Sequence, residues 1–456
     1  MKPPSRLLDL LFLLVLAGYI VAGMALVPFH GDEPTQIYMS HDYAYQFIQR
    51  DLSLVQYSDP PISAQEQDLR LLNGTINKYL IGLAWHLGGF TVDDLNEQWD
   101  WSGDWNYNHS TGHAPSEALL TVSRIPATLL FTAGMFVAFA LGWQLGGRPV
   151  AYLAALFYAL NPVLLLNGRR ALMEGSLTAF SLLTVLAGVW WLKWSAPHPT
   201  QAGRGGESRL LKMWLAAFGF GIAAGLALAS KHPALFTVAA VFGACGLWTL
   251  LQLLRRKEAQ SVDTSPMRTR YIVSLLVAGI ISLVTFYILN PAWWGDPVSR
   301  AGQVLDRRQQ LLNEQVTYFG GYNGAGDALA GFLRQMLFNQ PQYFEAPGWE
   351  NYIGDQIARY EASGLAGLLI NGSVDAVILG GLVIAGFWTL LRDRSIPLST
   401  RWLIGIWSLA LFLTTALLTP LEWQRYYLPA YPALILLAAL GLWWVMRAIR
   451  RVGARA

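Results

Sequence analysis

Residues 7–27 read LLDLLFLLVLAGYIVAGMALV and lead directly into PFHGDEP at 28–34. The first string is apolar over roughly the 20 residues that a helix needs to cross a hydrocarbon core of about 30 Å. Lys2 and Arg6 precede it, and no small-x-small cleavage site follows before His30, which favours an uncleaved signal anchor. We therefore expect a first membrane helix that ends at a polar motif.

Apolar stretches of similar length recur along the chain. Besides 7–27 they are 121–145, 150–167, 172–194, 213–230, 234–254, 271–289, 373–391, 402–419 and 428–446. The composition agrees, because 54% of the 456 residues are hydrophobic and only 13% are charged, about half the charged share of soluble domains. The sequence predicts an all-α, polytopic membrane protein with about ten transmembrane helices, or 11 to 13, in a single domain spanning 1–456.

The basic residues set the expected orientation, because Lys and Arg resist translocation. With the N-terminus inside, the cytoplasmic side collects Lys2, Arg6, Arg148, Arg204, Arg209, Lys212, Arg255, Arg256, Lys257, Arg268, Arg270, Arg392, Arg394, Arg447, Arg450, Arg451 and Arg455. We expect cytoplasmic termini, a cytoplasmic linker at 195–212, and external loops at 28–120 and 290–363. Amphipathic stretches at 73–88 and 299–319 predict interfacial helices in those loops. Nothing in this asymmetry indicates nucleic-acid binding.

The first candidate site is the acidic pair Asp32 and Glu33, which follows the first helix at its outer edge. A carboxylate near an apolar boundary has a raised pKa and can serve as a general base. The alternative is a solvated turn that happens to be acidic.

The second signal is positive charge on the external side, against the orientation rule. Arg124, Arg169 with Arg170, Lys231 and Arg425 lie at separate outer turns. Arg and Lys at such places bind phosphate oxygens well, although interfacial snorkelling would explain any single one of them. Glu174 follows Arg170 by four residues and Lys78 opens the stretch 73–88; Lys78 alone is typical of a snorkelling lysine.

The order of these motifs resembles the GT-C membrane glycosyltransferases, and within them the protein O-mannosyltransferases and the aminoarabinose transferases. That family has an acidic pair in its first external loop. The stretch NGTINK at 73–78 matches its interfacial motif at Ile76 and Lys78. NGRRALME at 167–174 is similar to its basic-acidic motif, and RYYLP at 425–429 to its signature before the last helix.

The resemblance implies transfer of a sugar from a polyprenyl-phosphate carrier to an acceptor glycan, lipid or protein, with inversion, at the external face of the plasma membrane. Asp32 would take the acceptor proton, and Glu33 would serve as second carboxylate or metal ligand. The donor phosphate would bind Lys78, Arg170, Lys231 and Arg425, with Arg169, Glu174 and Arg124 in support. Glu174 would orient Arg170 across one helical turn, and the lipid tail would lie in a groove between apolar helices.

The cofactor and the function class each keep an alternative. The chemistry does not require a metal, and a divalent ion at Asp32 and Glu33 is left open. The rival functions are a lipid or sugar transporter or flippase, which would place ionisable groups near the middle of the bilayer, and a scaffold for envelope polysaccharide.

Overall fold

The computed structural model describes residues 6–195, 204–257, 265–338, 340–368 and 372–453, and these residues form helices and no strand. The α-helices are α1 (Arg6–Ala22), α2 (Asp32–Tyr38), α3 (His41–Tyr43), α4 (Ala64–Leu72), α5 (Thr75–Leu87), α6 (Trp105–Ser110), α7 (Glu117–Leu160), α8 (Pro162–Gly168), α9 (Glu174–Ser195), α10 (Arg204–Ser230), α11 (Ala234–Lys257), α12 (Ser265–Leu289), α13 (Pro297–Phe319), α14 (Ala325–Leu337), α15 (Glu350–Ala362), α16 (Ser373–Arg392), α17 (Leu398–Leu418) and α18 (Tyr431–Gly453). A π-helix covers Ala44–Gln49, and 3-10 turns cover Met24–Leu26, Leu52–Leu54, Val92–Asp94, Pro291–Trp293, Gln424–Tyr426 and Leu428–Ala430.

Nine helices in this described part of the chain are long and apolar enough to cross a membrane. The predicted all-α, polytopic membrane fold is therefore confirmed. The predicted linker at 195–212 is shorter than expected, because α10 already begins at Arg204. Lys2 and Arg455, used for the orientation, lie outside the described residues.

The longest helix, α7, accounts for the difference between nine spans and ten predicted segments. Its backbone leaves helical geometry at Gly146 and Gly147, where φ is 69° at Gly147. The two arms then run back along each other, since the Tyr158 hydroxyl donates to the Phe131 carbonyl at 3.0 Å and the two rings stack. Glycine is needed at this reversal because a positive φ is costly for other residues. The chain thus crosses twice here, as the segments 121–145 and 150–167 predict.

The centre of the bundle is α9, which is apolar on nearly all sides. It packs against α7, α10, α11 and α17, and most of its side chains are buried. A helix that is hydrophobic all round belongs inside a bundle. The same core includes Trp191, Trp407 and Tyr158, all fully buried.

The segments between α1 and α7 and between α12 and α16 gather at one end of the bundle, which we call the loop end. The predicted amphipathic stretches are helices α5 and α13 in these segments. Long-range hydrogen bonds join the two segments, for example from the Phe29 amide to Gln356 Oε1 at 2.9 Å. The loop end is therefore built from parts of the chain more than 300 residues apart.

Candidate active site

The acidic pair lies at the loop end, in the first turn of α2. The unpaired N–H groups and the dipole of a helix start favour carboxylates there. Successive helical residues point about 100° apart, so the two carboxylates meet different neighbours. The Asp32 side chain is 30% exposed, whereas Glu33 is fully buried.

Asp32 forms an ion pair with Arg425, which the chain supplies from the turn before α18. Arg425 Nη1 donates to Asp32 Oδ2, and Arg425 Nε lies 3.4 Å from Glu345 Oε1. Within the described residues, Arg425 Nε–H has no acceptor in hydrogen-bond geometry. The Nε–H group is itself buried, so a ligand would meet Arg425 through the terminal nitrogens of its guanidinium.

Glu345 and His30 complete this group. His30 Nδ1 accepts a hydrogen bond from the Asp32 amide at 3.1 Å, and His30 Nε2 lies 2.8 Å from Glu345 Oε2. The neutral ring with its proton on Nε2 satisfies both contacts. Burial lowers the pKa of His30 well below its ordinary value, and burial raises the pKa of Glu345 to about 7. We call Asp32, Arg425, Glu345 and His30 the open cluster.

Glu33 is held by a complete set of donors. Arg124 donates to its two oxygens at 2.7 and 2.8 Å, and the amides of Ala171 and His30 donate at 2.8 and 3.1 Å. Burial opposes ionisation, but the Arg124 charge and hydrogen bonds prevail and keep the pKa of Glu33 below its ordinary value. Glu33 with Arg124 therefore positions α2 beside the segment that follows α8, and its carboxylate does not converge with that of Asp32 on a shared cation. The alternative of a metal bound by both residues does not fit this geometry.

Arg169 and Arg170 are buried and hydrogen-bond to backbone groups of other segments of the chain. Arg170 Nη2 donates to the Tyr343 carbonyl at 2.7 Å and its Nε to the Pro28 carbonyl at 3.1 Å. Arg169 donates to the carbonyls of Tyr19, Ile20 and Leu365 and to the Tyr360 hydroxyl. Arg170 is only 1% exposed and donates to two carbonyls, and its direct contact with phosphate stays a prediction. Burial lowers the pKa of Arg170 to about 10.

The predicted pairing of Glu174 with Arg170 is wrong. Glu174 Oε1 instead accepts from Lys231 Nζ at 2.5 Å. The sequence argument assumed one continuous helix, but α8 ends at Gly168 and α9 begins at Glu174, so no helical turn relates Glu174 to Arg170. Lys231 keeps 13% of its side chain exposed. Its positive charge favours the ionised form of Glu345, against the larger effect of burial, so Lys231 lies near the open cluster.

Lys78 belongs to a different cluster. Its Nζ donates to Asp42 Oδ2 at 2.5 Å, and Arg70 Nη2 donates to Asp42 Oδ1 at 2.7 Å and to Glu66 at 2.5 Å. Asp42 and Lys78 are each 4% exposed. We call Asp42, Lys78, Arg70 and Glu66 the closed cluster. In this structure Asp42 neutralises Lys78 out of contact with solvent, and phosphate binding by Lys78 stays a prediction.

Two residues at this end escaped the sequence analysis. Glu345 carries no local signal, since its partner His30 lies 315 residues away. Arg308 of α13 lies 5.8 Å from the Tyr426 ring centre, and the pKa of His232 falls to about 4 through burial and the charges of Arg308 and Lys231. The signal for Arg308 was its basic charge in a segment predicted to be external.

An apolar groove of about 550 Å³ lies between α5 and α7. The groove is lined on one side by Leu80, Leu83, Ala84, Leu87 and Gly88 and on the other by Val122, Ile125, Pro126, Leu129 and Leu130. The side chain of Lys78 is on the buried face of α5, and Leu83 and Leu87 on the groove side are exposed. The body of α5 therefore separates this groove from the closed cluster.

Among the residues that the structure describes, no group of three or more His, Cys, Asp or Glu is arranged to hold a metal ion. The open cluster offers carboxylates from Asp32 and Glu345, each already facing a cation or a ring N–H. Its geometry suits an anionic ligand that competes for the guanidinium.

A known protein family matches half of this chain. The model of the dolichyl-phosphate-mannose-protein mannosyltransferase family matches residues 64–291. No sequence among curated proteins matches the chain.

Three solved structures are similar to this chain at low sequence identity. ArnT from Cupriavidus metallidurans bound to undecaprenyl phosphate is 14% identical, with a TM-score of 0.50 over 96% of this chain and 60% of that chain. The oligosaccharyltransferase AglB from Archaeoglobus fulgidus, in complex with an inhibitory peptide and a dolichol-phosphate, is 13% identical, with a TM-score of 0.55 over 98% and 51%. The S. cerevisiae protein O-mannosyltransferase complex bound to the sugar donor is 19% identical, with a TM-score of 0.44 over 63% and 34%. The chain thus spans 34% to 60% of the length of these three.

Proposed function

Because the chain belongs to the dolichyl-phosphate-mannose-protein mannosyltransferase family, we propose that it is a membrane enzyme that moves a sugar from a polyprenyl-phosphate carrier to an acceptor hydroxyl. The observation that carries this proposal is the open cluster. It combines a partly exposed carboxylate, Asp32, with the guanidinium of Arg425, whose side chain keeps 13% of its surface exposed. A base beside an anion-binding group is what this transfer needs.

Asp32 is the proposed general base. The acceptor oxygen attacks the anomeric carbon while the bond from that carbon to the phosphate oxygen breaks, and the bonding electrons leave with the carrier phosphate. The acceptor proton passes to Asp32. Attack on the face opposite the leaving group inverts the anomeric configuration. The departing phosphate needs charge neutralisation rather than a second carboxylic acid, unlike the leaving group in glycoside hydrolysis.

Arg425 and Lys231 are the proposed phosphate ligands. Each is 13% exposed. Arg425 pairs with Asp32 and Glu345, and Lys231 pairs with Glu174. A donor phosphate offers several oxygens to the planar guanidinium. When Arg425 turns to the phosphate, Asp32 loses its ion-pair partner and becomes a better proton acceptor. Donor binding therefore prepares the base.

Glu33, Arg124, Arg169 and Arg170 are proposed as positioning residues. Their hydrogen bonds join α1, α2, the segment after α8 and the second loop segment around Asp32. This support comes from buried, fully paired groups, whose removal is costly. The carrier tail would remain among the apolar helices.

The loop end is proposed to be external and both termini cytoplasmic. The chain's single cysteine, Cys245, is fully buried, so cysteines introduced at exposed positions can be labelled cleanly. We expect Ser102→Cys at the loop end to react with an impermeant maleimide in intact cells. Ser395→Cys, exposed between α16 and α17, should react only after the membrane is opened. The reverse result would overturn the orientation.

The decisive assay is release of polyprenyl phosphate by purified protein given a labelled polyprenyl-phosphate sugar and candidate acceptors. A transporter would move lipid or sugar across proteoliposomes without cleaving the sugar–phosphate bond. The ion pairs found among the described residues lie toward the two ends of the bundle, as Arg425 with Asp32 and Arg148 with Asp9 illustrate. Charge placed there favours the transferase over a transport path at mid-membrane. Transport without release of polyprenyl phosphate would refute the proposal.

A further inference from the structure

An aromatic cluster stands beside the open cluster at the loop end. Two of its indoles, Trp101 and Trp349, lie nearly parallel, with ring centres 6.2 Å apart and planes 15° apart. We call this pair the platform. Behind it, Trp105 stacks on Tyr352 at 5.0 Å and lies 5.4 Å from the Trp349 ring. Phe29 and Trp99 pack beneath these rings.

The platform touches the residue that precedes the proposed base. A methyl group added to Gly31 would lie 2.6 Å from the Trp349 ring and 2.7 Å from the Trp101 ring. Both indoles therefore rest on Gly31, next to Asp32. Trp349 also follows Glu345 by only four residues. A molecule lying on the platform would reach the carboxylate of Asp32.

Burial in the protein core does not account for the platform. Trp101 is 54% exposed and Tyr352 is 43% exposed, whereas Trp99 is 4% exposed. The cluster thus has one packed side and one open side. Open aromatic surface beside a polar site is typical of a ligand-binding surface.

The charge around the platform selects against anionic ligands. Residues 91–117 contain six acidic residues and neither Lys nor Arg. Asp104 and Glu350 are exposed beside Trp105 and Trp349 in the chain. Carboxylates accept hydrogen bonds from hydroxyl groups, but they repel phosphate or carboxylate groups on an acceptor.

We propose that the platform binds the acceptor and that the acceptor is an uncharged sugar, an inference that rests on the proposed function. The apolar C–H face of a pyranose ring would stack on Trp101 and Trp349. Its outward hydroxyls would donate to the surrounding carboxylates, and one hydroxyl would face Asp32. The donor phosphate and the acceptor sugar then approach the base from different sides, one by way of Arg425 and the other by way of the platform.

A flexible peptide fits this surface less well. Extended peptides are commonly held by hydrogen bonds along a strand edge, and the described residues of this chain form no strand. If a peptide did bind here, the acidic surroundings would favour a basic peptide over an acidic one. A Ser- or Thr-containing basic peptide is therefore the competing acceptor to test.

The test separates binding from turnover. Saturation-transfer NMR on the purified full chain would use methyl pyranosides of glucose, galactose, mannose and N-acetylglucosamine, and a basic Ser/Thr peptide, as probes. We expect at least one pyranoside to bind the wild type, and Trp101→Ala to weaken it on the order of tenfold, as loss of an aromatic contact does. Trp101→Phe should retain part of the binding. Trp444→Ala, 40% exposed near the opposite end, is the matched control and should change nothing.

Turnover distinguishes the two proposals. With a labelled donor, Trp101→Ala should raise the KM for the bound pyranoside, or for an oligosaccharide that ends in it, and leave donor affinity unchanged. Pyranoside binding that Trp101→Ala does not alter, binding of the peptide alone, or no binding of any pyranoside would overturn the platform proposal. Release of polyprenyl phosphate by the wild type would still uphold the proposed function in each of those cases.

Discussion

The open and closed clusters are built from similar charged side chains but differ in how far their aspartates are buried. Both pair an aspartate with basic groups at the loop end. Asp32 is 30% exposed and meets a single guanidinium, that of Arg425. Asp42 is 4% exposed and receives Lys78 and Arg70 together.

This difference in burial indicates which of the two clusters has ionic groups that can take part in a reaction. In the closed cluster Asp42, Lys78 and Arg70 are buried and paired with one another, so removing one of these charges leaves another uncompensated. In the open cluster Asp32 is 30% exposed, so water or a ligand can reach its carboxylate. We infer that the closed cluster fixes α3, α4 and α5 together, and that the open cluster exchanges partners during turnover.

The largest expected effect comes from Asp32→Asn. The amide cannot take the acceptor proton, so turnover should fall by about 10² to 10⁴, the contribution of a general base. Donor binding and thermal stability should stay near wild type. Release of labelled polyprenyl phosphate measures the turnover. Asp355→Asn, on the exposed side of α15, is the matched control, and wild-type turnover in Asp32→Asn would remove the base assignment.

The same substitution in the closed cluster should act on stability. Asp42→Asn leaves Lys78 and Arg70 buried without their shared carboxylate, and breaking a buried pair costs roughly 3–5 kcal/mol. A thiol-reactive dye that reports exposure of Cys245 on heating would measure the fall in Tm.

A double variant sharpens this comparison. Lys78→Met in the Asp42→Asn background removes the uncompensated ammonium, so part of the lost Tm should return. If Asp42→Asn keeps the wild-type Tm but weakens donor binding, Lys78 and Asp42 belong to the donor site after all.

The fold could be predicted from the sequence because a membrane helix is recognised from the apolar composition of its own residues. Each predicted apolar segment coincides with a helix, and the glycine pair at Gly146 and Gly147 falls in the gap between two predicted segments. The acidic pair and Arg425 could be singled out because charge at the end of an apolar run stands out. The structure brings Asp32 and Arg425 into contact across 393 residues.

The partners of these charges could not be predicted from local pattern. The pairing of Glu174 with Arg170 followed helical spacing, and the helix is interrupted there. Lys78 looked like a phosphate ligand because nothing near it in sequence showed that Asp42 would neutralise it. Glu345 joins His30 only through the packing of two distant segments. Ionic partners are set by tertiary structure, whereas helix positions are set by the nearby residues.

A smaller effect is expected at Arg425. Arg425→Ala removes a charge-assisted hydrogen bond, which costs about 1.5–3 kcal/mol, so the donor Kd should rise roughly tenfold to a hundredfold. Titration of purified protein with a fluorescent polyprenyl-phosphate sugar would measure it. Arg334→Ala is the control, because Arg334 forms a half-exposed pair with Glu422 at the same end. Equal donor affinity in wild type and Arg425→Ala would remove Arg425 from the phosphate site.

The smallest expected effect is a pH dependence carried by Glu345. Burial raises the pKa of Glu345 to about 7, so the side chain is neutral at pH 6 and charged at pH 8. Each charged Glu345 adds a negative charge beside Arg425 and the donor phosphate, at a cost of at least about 1 kcal/mol, the value for two charges about 4 Å apart in bulk water. The donor Kd should therefore rise at least about fivefold as the pH increases from 6 to 8. The buried imidazoles of His30 and His232 stay neutral between pH 6 and 8. Burial lowers the pKa of His30 well below its ordinary value and the pKa of His232 to about 4. Glu345→Gln should bind donor equally at both pH values, whereas Glu350→Gln, exposed at the start of α15, should keep the wild-type slope. A slope that persists in Glu345→Gln would assign the titration to another group and would separate Glu345 from the exchange of partners at Arg425.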